Sequence, residues 1–516
     1  MVSKTRATLI ASCTAVLVAQ LTNALPGALN GTFQQEFQTA GTELTWITAA
    51  FMIPLVVFEL TFGLIGDMWG RKKLLIGGAG LLVAGALVCA TAPTVQAMWA
   101  GQALSGLGAG ILFPISLTLS AAITPTAHAR ARVIAIWAGF LSLGAAISPL
   151  LAGLFAEYSS WRGAYIVVAV LAAVAALLTL GAQDSSAPSG RKVDIPGQVT
   201  LALGLIAVLY AAVQGAEVGW SRPEIVGGFV AGAALLAAFV VIELRTDPPL
   251  LDLRLFRNRS FSIASVVAVV GMFSFLGICF STSIWLGAVQ HQSALKIGIL
   301  FLFIQGPAFA LIPLISYLLR HVPPRWVLTG GFALMAVGGF WCSRFDVQDL
   351  GWTRFIAPLL LVGIGFALTV GSITAVAINT VPLHYAGMAS ATTNLLRDLG
   401  FALGPVIVGA IALSSAGARF AEALPGSGLP PAELGAATAI GEAAGPIAVN
   451  SLPPGVPGSG AHAVAMDALG SGFQLAFLVC AIGALVAAAL TLFGLRNTRD
   501  TTPEEQMMES AQSFSS

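Results

Sequence analysis

The chain has 516 residues, 57% of them apolar and only 9% charged, with a formal net charge of +1 and a mean hydropathy of +0.89. Soluble domains carry about 25% charged residues, so this chain cannot cover a water-facing surface with charge. Its near-neutral balance and lack of a basic tract exclude nucleic acid as a partner; its solvent is expected to be the lipid bilayer.

Apolar stretches of about 20 residues, long enough to span a bilayer core as a helix, recur along the chain. No run alternates with period two over about ten residues, which argues against a membrane β-barrel. Fourteen spans are expected, near 7–29, 45–65, 74–92, 97–122, 133–155, 162–182, 196–215, 225–244, 261–290, 297–319, 326–343, 354–380, 387–413 and 471–494. The opening run behind Lys4 and Arg6 is too long for a signal peptide and lacks a small-x-small cleavage site, so it reads as a retained first span. An even count puts both termini on one side. With that assignment 17 of the 24 Lys and Arg lie on the side of the termini and six opposite, which makes the termini cytoplasmic and the location the inner, cytoplasmic membrane.

The spans group as six, two and six. Residues 1–182 are expected to form one six-helix bundle, 183–195 a cytoplasmic linker, and 196–244 two inserted helices. Residues 245–260 form a cytoplasmic link, 261–494 the second six-helix bundle, and 495–516 a tail. Parallel halves around a central path are the pattern of secondary transporters. The stretch 414–470, rich in Ala, Gly and Pro, is expected to be an exposed, partly ordered loop.

Between the second and third spans, GLIGDMWGRKK (63–73) pinches four charges between apolar runs. Gly63 and Gly66 would allow close helix approach, Gly70 a tight turn, and Asp67 can accept hydrogen bonds from a helix N-terminus and from Arg71. Bases alone would serve as a topology anchor; the Asp and the glycines argue for more. Gly63, Asp67, Gly70, Arg71 and Lys72 match the signature loop of the major facilitator superfamily, and the chain resembles its 14-helix drug:proton antiporter group. The resemblance extends to PLLDLRLFRNRSF (249–261), to VDIPG (193–197), and to 381–410 through Ala386, Gly387, Asn394, Arg397, Gly400 and Gly404. It implies an all-α major facilitator fold, a loop that latches the halves in the outward-facing state, and drug export by proton antiport.

The chain departs from that pattern at three places. Leu17 stands where the group has a first-span Asp, with Gln20 and Asn23 the polar groups nearby. Gln102 replaces the fourth-span Arg and cannot titrate. The fifth-span antiporter motif survives in weakened form as Gly144, Ser148, Pro149 and Gly153, keeping close packing and a kink.

Ionisable residues inside a span cost at least about 2.5–3.5 kcal/mol to insert and are functional candidates by default. Glu59, Arg397 and Asp398 qualify. Glu59 is expected to be the proton-coupling site; a carboxylate reaching cytosolic water or pairing with a base is the alternative. For Arg397, pairing with Asp398 or helix-end carbonyls is favoured over substrate contact. Candidate cavity residues are Gln20, Asn23, Gln102, Trp137, Trp285, Gln290, Gln305, Asn379 and Asn394, with Phe273, Phe275, Phe280 and Phe303. Aromatics with few hydrogen bonders suit neutral or weakly charged hydrophobic compounds, although packing or lipid contact is the commoner role of any one aromatic.

The five Cys read as small core residues, and the five His stand singly at loops. No catalytic or metal constellation and no phosphate-binding lysine loop is present, so no cofactor is expected and energy would come from the proton gradient. A monomer is expected. Alternatives are a dedicated metabolite exporter, an uptake symporter, or a transport-inactive membrane sensor or scaffold.

Overall fold

In lipid every backbone polar group must be satisfied within the chain, and helices do so segment by segment. A computed structural model describes residues 2–39, 42–122, 124, 127–185, 194–246, 249, 251–381 and 386–495, and among these it contains helices and no strand. Most of the expected linker (186–193), part of the 245–260 link and the tail from 496 lie outside the described residues.

The first six spans correspond to α1 (Val2–Ala24), α3 (Glu43–Trp69), α4 (Arg71–Thr91), α5 (Val95–Ala122), α6 (Ala127–Tyr158) and α7 (Trp161–Leu180), with a short α2 (Asn30–Phe37) after a 3-10 turn. The pair α8 (Ile195–Val218) and α9 (Pro223–Glu243) follows. Then come α10 (Arg259–Ile284), α11 (Ala294–Ala310), α12 (Ile312–His321), α13 (Pro324–Cys342), α14 (Ile356–Asn379), α15 (Ala386–Ala423), α16 (Pro431–Asn450) and α17 (His462–Gly494). Twelve of the described helices are long and apolar enough to cross a membrane. Helices also stand at the two remaining expected spans but fall short. Around 297–319 the helix carries Pro307 and breaks at Leu311, and in α13 Arg325, two Trp and four Gly dilute the hydropathy.

Helices α1 and α3–α7 pack among themselves, as do α10, α11, α13–α15 and α17, while α6 meets α11 and α3 meets α15 across the seam. Glycine sets the closest approaches. A Cβ on Gly108 would lie 2.7 Å from the Gly78 carbonyl oxygen where α5 crosses α4. A Cβ on Gly331 would lie 2.9 Å from that of Gly365 at the corresponding crossing of α13 and α14. Backbones this close exchange dispersion contacts that no larger residue would permit.

The expectation for 414–470 is overturned. Helix α15 runs on to Ala423, α16 occupies the middle, and α17 begins at His462. Phe420, Leu424, Ala437, Val449, Ala461, Ala465 and Ala468 give the insert a small core of its own. Ala is the best helix former, and Pro at the first turn with Glu433 behind it starts α16 favourably.

The two kinds of glycine predict opposite mutational signs. At Gly153 an added Cβ would meet the Ala294 carbonyl oxygen at 2.6 Å, whereas at Gly77 nothing lies within 4 Å. Gly153→Ala should destabilise the detergent-solubilised protein by about 1–3 kcal/mol through overpacking. Gly77→Ala should be neutral or stabilise it by up to about 1 kcal/mol through helix propensity. Thermal unfolding of the two variants beside the unmutated chain checks this.

Candidate functional site

The seam between the two sets of helices is closed at one end and hollow toward the other. We call the end where α1 begins the near end. At the far end several of the closest contacts are made by backbone or small side chains. Asn30 Nδ2 donates to Ser283 Oγ at 2.9 Å, joining α2 to α10. Beside it, a Cβ on Gly31 would lie 2.5 Å from the Gly287 carbonyl oxygen. A Cβ on Gly298 of α11 would lie 2.5 Å from the Pro149 carbonyl oxygen of α6, and one on Gly409 of α15 would lie 2.8 Å from Thr45 Oγ1 of α3.

The weakened fifth-span motif lies in this seal. Ser148 Oγ donates to the Leu21 carbonyl, Gly144 packs on Leu17 of α1, and Pro149 and Gly153 face α11. Small residues here let one helix touch α1 on one side and α11 across the seam on the other.

Behind the seal lies a cavity of about 710 Å³ whose lining runs from Asn30 and Gln20 down to Gly63, Leu64, Asp194 and Pro249 near the opposite end. Its walls carry Phe275 and Phe366, stacked at 3.8 Å, with Phe401 beside them. Trp137, held by a 2.9 Å hydrogen bond from Nε1 to Ser116 Oγ, also lines it. Gln20, Asn23, Gln305 and Asn394 supply polar atoms. A volume of this size suits a drug-sized molecule.

All three intramembrane ionisable residues line this cavity. Arg397 Nε sits 3.1 Å from Asp398 Oδ1 on α15, and Glu59 of α3 lies close enough to this pair to feel the charge of both. Glu59 and Asp398 are each 8% exposed. Two carboxylates and one guanidinium carry a net charge of −1, and one bound proton makes the cluster neutral. Sequence reasoning already favoured pairing Arg397 with Asp398; that Glu59 joins them depends on the pairing of α3 with α15, which local periodicity does not encode.

Other expectations are corrected. Gln102 donates to the Tyr165 hydroxyl at 3.0 Å, away from the cavity. Trp285 is fully buried against Phe355 and Phe477. Gln290 is spent on the Val347 and Asp349 carbonyls at 2.7 and 3.0 Å. His291 and His462 do not stand singly: their rings lie 6.3 Å apart. The side chains of Asn379 and Asp67 lie outside the described residues.

In the near-end turn Gly70 takes φ 103°, a conformation glycine adopts freely. A Cβ on Gly66 would clash with Ile115, whereas one on Gly63 would make only ordinary contact with Pro114 at 3.8 Å. Arg71 Nη1 donates to Ser185 Oγ at 3.2 Å, the Lys72 amide to Asp184 Oδ1 at 3.2 Å, and Lys72 Nζ to the Leu180 carbonyl at 2.6 Å. These contacts tie the turn to the end of α7.

The Asn30–Ser283 bond should bias the far end shut by about 1 kcal/mol, the net value of a typical buried hydrogen bond. Asn30→Ala should therefore raise far-end opening about fivefold. The rate at which a membrane-impermeant thiol reagent, added on the far side, reaches an Asn23→Cys probe measures it.

Comparison with known proteins agrees with this architecture. Residues 11–405 match the model of the Major Facilitator Superfamily. The chain is 28% identical over 512 residues to the tetracenomycin C resistance and export protein of Streptomyces glaucescens, covering 97% of this chain and 93% of that one. It is 27% identical over 379 residues to multidrug resistance protein Stp of Mycobacterium tuberculosis, covering 73% and 70%. Among solved structures it superposes on a bacterial homologue of the lysosomal transporter Spinster in an inward-facing, unoccupied conformation, with TM-score 0.65, 14% identity and 95% and 97% coverage. On the inward-open xylose transporter XylE of E. coli the TM-score is 0.60, at 14% identity with 97% and 98% coverage. With its helical fold, its two sets of helices and a family match across most of its length, the chain belongs to the Major Facilitator Superfamily.

Proposed function

We propose that this protein is a secondary transporter that exports drugs, antibiotics or related hydrophobic small molecules across the cytoplasmic membrane by proton antiport. The carrying observation is the Glu59–Asp398–Arg397 cluster, set in the wall of an aromatic cavity on helices from both sides of the seam. The relatives named for multidrug resistance and for tetracenomycin C resistance and export support the substrate class.

The near end is the cytoplasmic end, where the basic residues collect, so the structure is the inward-facing state. A substrate enters from the cytoplasm or inner leaflet and stacks against Phe275, Phe366 and Phe401. Rocking of the two six-helix bundles then opens the far-end seal and closes the near end. A proton arriving from outside neutralises the cluster, and its release to the cytoplasm returns the charge; binding differs between states, so the gradient shifts their populations. In the outward-facing state the turn of Gly63, Asp67, Gly70, Arg71 and Lys72 engages the second bundle; in the inward-facing state Arg71 and Lys72 rest on residues 180–185. The protein works as a monomer and needs no cofactor beyond the gradient.

The near-full-length likeness to the tetracenomycin C resistance and export protein favours one variant of this reading, a dedicated exporter of a single antibiotic. A narrow response across a panel of lipophilic dyes and antibiotics would select it over broad efflux.

In vesicles with an imposed pH gradient, Glu59→Gln should cut gradient-driven movement of a lipophilic dye more than tenfold. Exchange of dye without a gradient should stay within about twofold of the unmutated protein. Equal loss of both would remove Glu59 from coupling and make it a structural residue.

A further inference from the structure

The insert between α15 and α17 has no part in the cycle described so far, yet it touches the far-end seal from behind. Helix α10 ends in a π-turn, Trp285–Val289, which is followed by His291 at φ 51°, a left-handed conformation a side-chain-bearing residue rarely adopts. A helix end leaves its last carbonyls without intrahelical donors. Here the Trp285 carbonyl accepts from the Gln290 amide at 2.9 Å and the Leu286 carbonyl from the Gln292 amide at 2.7 Å. The carbonyls of Ala288 and Val289 are reached from outside the helix: Asn450, the last residue of α16, donates Nδ2 to them at 3.2 and 3.1 Å. Asn450 is 2% exposed; its Nδ2 also lies 3.3 Å from His291 Nε2, and its Oδ1 has no hydrogen-bond partner among the described residues.

The opposite side of this turn is the seal. Gly287 lies between Leu286 and Ala288 and abuts Gly31 of α2, while Ser283 one turn earlier accepts from Asn30. The backbone segment that closes the far end is thus held between α2 in front and Asn450 behind. Two histidines fix Asn450 in turn. His462 Nδ1 and His291 Nε2 lie 2.9 and 3.3 Å from the Asn450 carbonyl oxygen. Partial burial, with His462 beside it, holds His291 below the usual imidazole range. Single-turn π segments in α-helices are frequent at functional sites.

We propose that Asn450 is a positioning residue for the outer gate: by holding the Ala288 and Val289 carbonyls it keeps the π-turn of α10 pressed against α2, and the insert thereby sets how often the far end opens. The role rests on the alternating-access reading given above.

Spin labels at Glu157→Cys on α6 and Leu350→Cys after α13, both exposed, report far-end separation across the seam. A second pair, Leu350→Cys with Ala418→Cys on α15, reports the second bundle alone. Asn450→Asp keeps the shape and removes both donors; Asn450→Ala removes the side chain. Both variants, in full-length protein in vesicles, should raise the long-distance population of the first pair at least threefold and leave the second pair unchanged. Variants that match the unmutated protein would overturn the proposal. So would an equal disturbance of the second pair, which would make Asn450 a structural tie of the insert, or failure of both variants to reach the membrane, which would make it a folding residue. An unmutated protein that shows one far-end distance under every substrate and gradient would overturn alternating access itself. A protein that switches normally while both variants follow it would remove only the role of Asn450.

Discussion

A carboxylate buried between two helices of opposite bundles is the constraint from which the rest of this structure follows. Glu59 lies on α3 and its neighbours Asp398 and Arg397 on α15, all in one cavity wall. Placing each such charge in a bilayer costs about 2.5–3.5 kcal/mol on insertion scales, so the three persist only where they answer one another. The inserted pair acquires a physical reason in this light. Helix α8 packs against both α3 and α15, and Gln198 Nε2 donates to the Val57 carbonyl, two residues before Glu59, at 2.6 Å. An extra helix across this seam shields the cluster from lipid and supplies a polar group beside it.

The far-end seal is built from a different material. Among the described residues its closest contacts include glycine against carbonyl, the neutral Asn30–Ser283 hydrogen bond, and a kinked helix meeting two neighbours through small residues. Such contacts are specific in shape and individually weak, each worth about 1 kcal/mol or less once water is counted. A gate locked by several buried ion pairs would resist opening by many times the energy that one proton or one bound molecule supplies. A gate made of close packing stays tight to solutes and remains within reach of that supply.

How far this was legible in the sequence follows from the same physics. Spans were readable because lipid demands long apolar helices, and Glu59, Arg397 and Asp398 stood out because lipid penalises them. Which way each helix faces was not readable. In water an amphipathic stripe marks the buried face, but a helix apolar all round carries no such mark. That is why Gln102, Trp285 and Gln290, all on membrane helices or their ends, were expected in the cavity and instead serve Tyr165, an aromatic cluster and the 347–349 loop. The insert was misread for another reason. Its Ala, Gly and Pro suggest a flexible tether when taken as composition. Pro430 and Pro431 stand at a helix start, and Gly445 with φ 76° precedes Pro446 at a kink, so the breakers punctuate helices rather than abolish them. Position carried the signal that composition hid.

The geometry of α3 and α15 also explains how events at the cluster can reach the gate without a chain of intermediaries. The same two helices meet twice, at Thr45 with Gly409 in the far-end seal and at Glu59 with Asp398 in the cavity wall. At 1.5 Å per residue these contacts lie about 21 Å apart along α3. Helix α15 is in turn pressed on α10, with Gly404 against the Phe273 carbonyl and Gly277 against Val408, and α10 carries Ser283 and Gly287 of the seal. Opening the near end requires only that the seam part below Glu59. Opening the far end requires the Thr45 and Gly287 contacts to part while the near end closes, with Glu59 and Asp398 between the two. In the proposed antiport cycle, a proton that changes the charge at that midpoint would act on the fulcrum of a stiff pair, and stiffness alone would carry its effect to both ends.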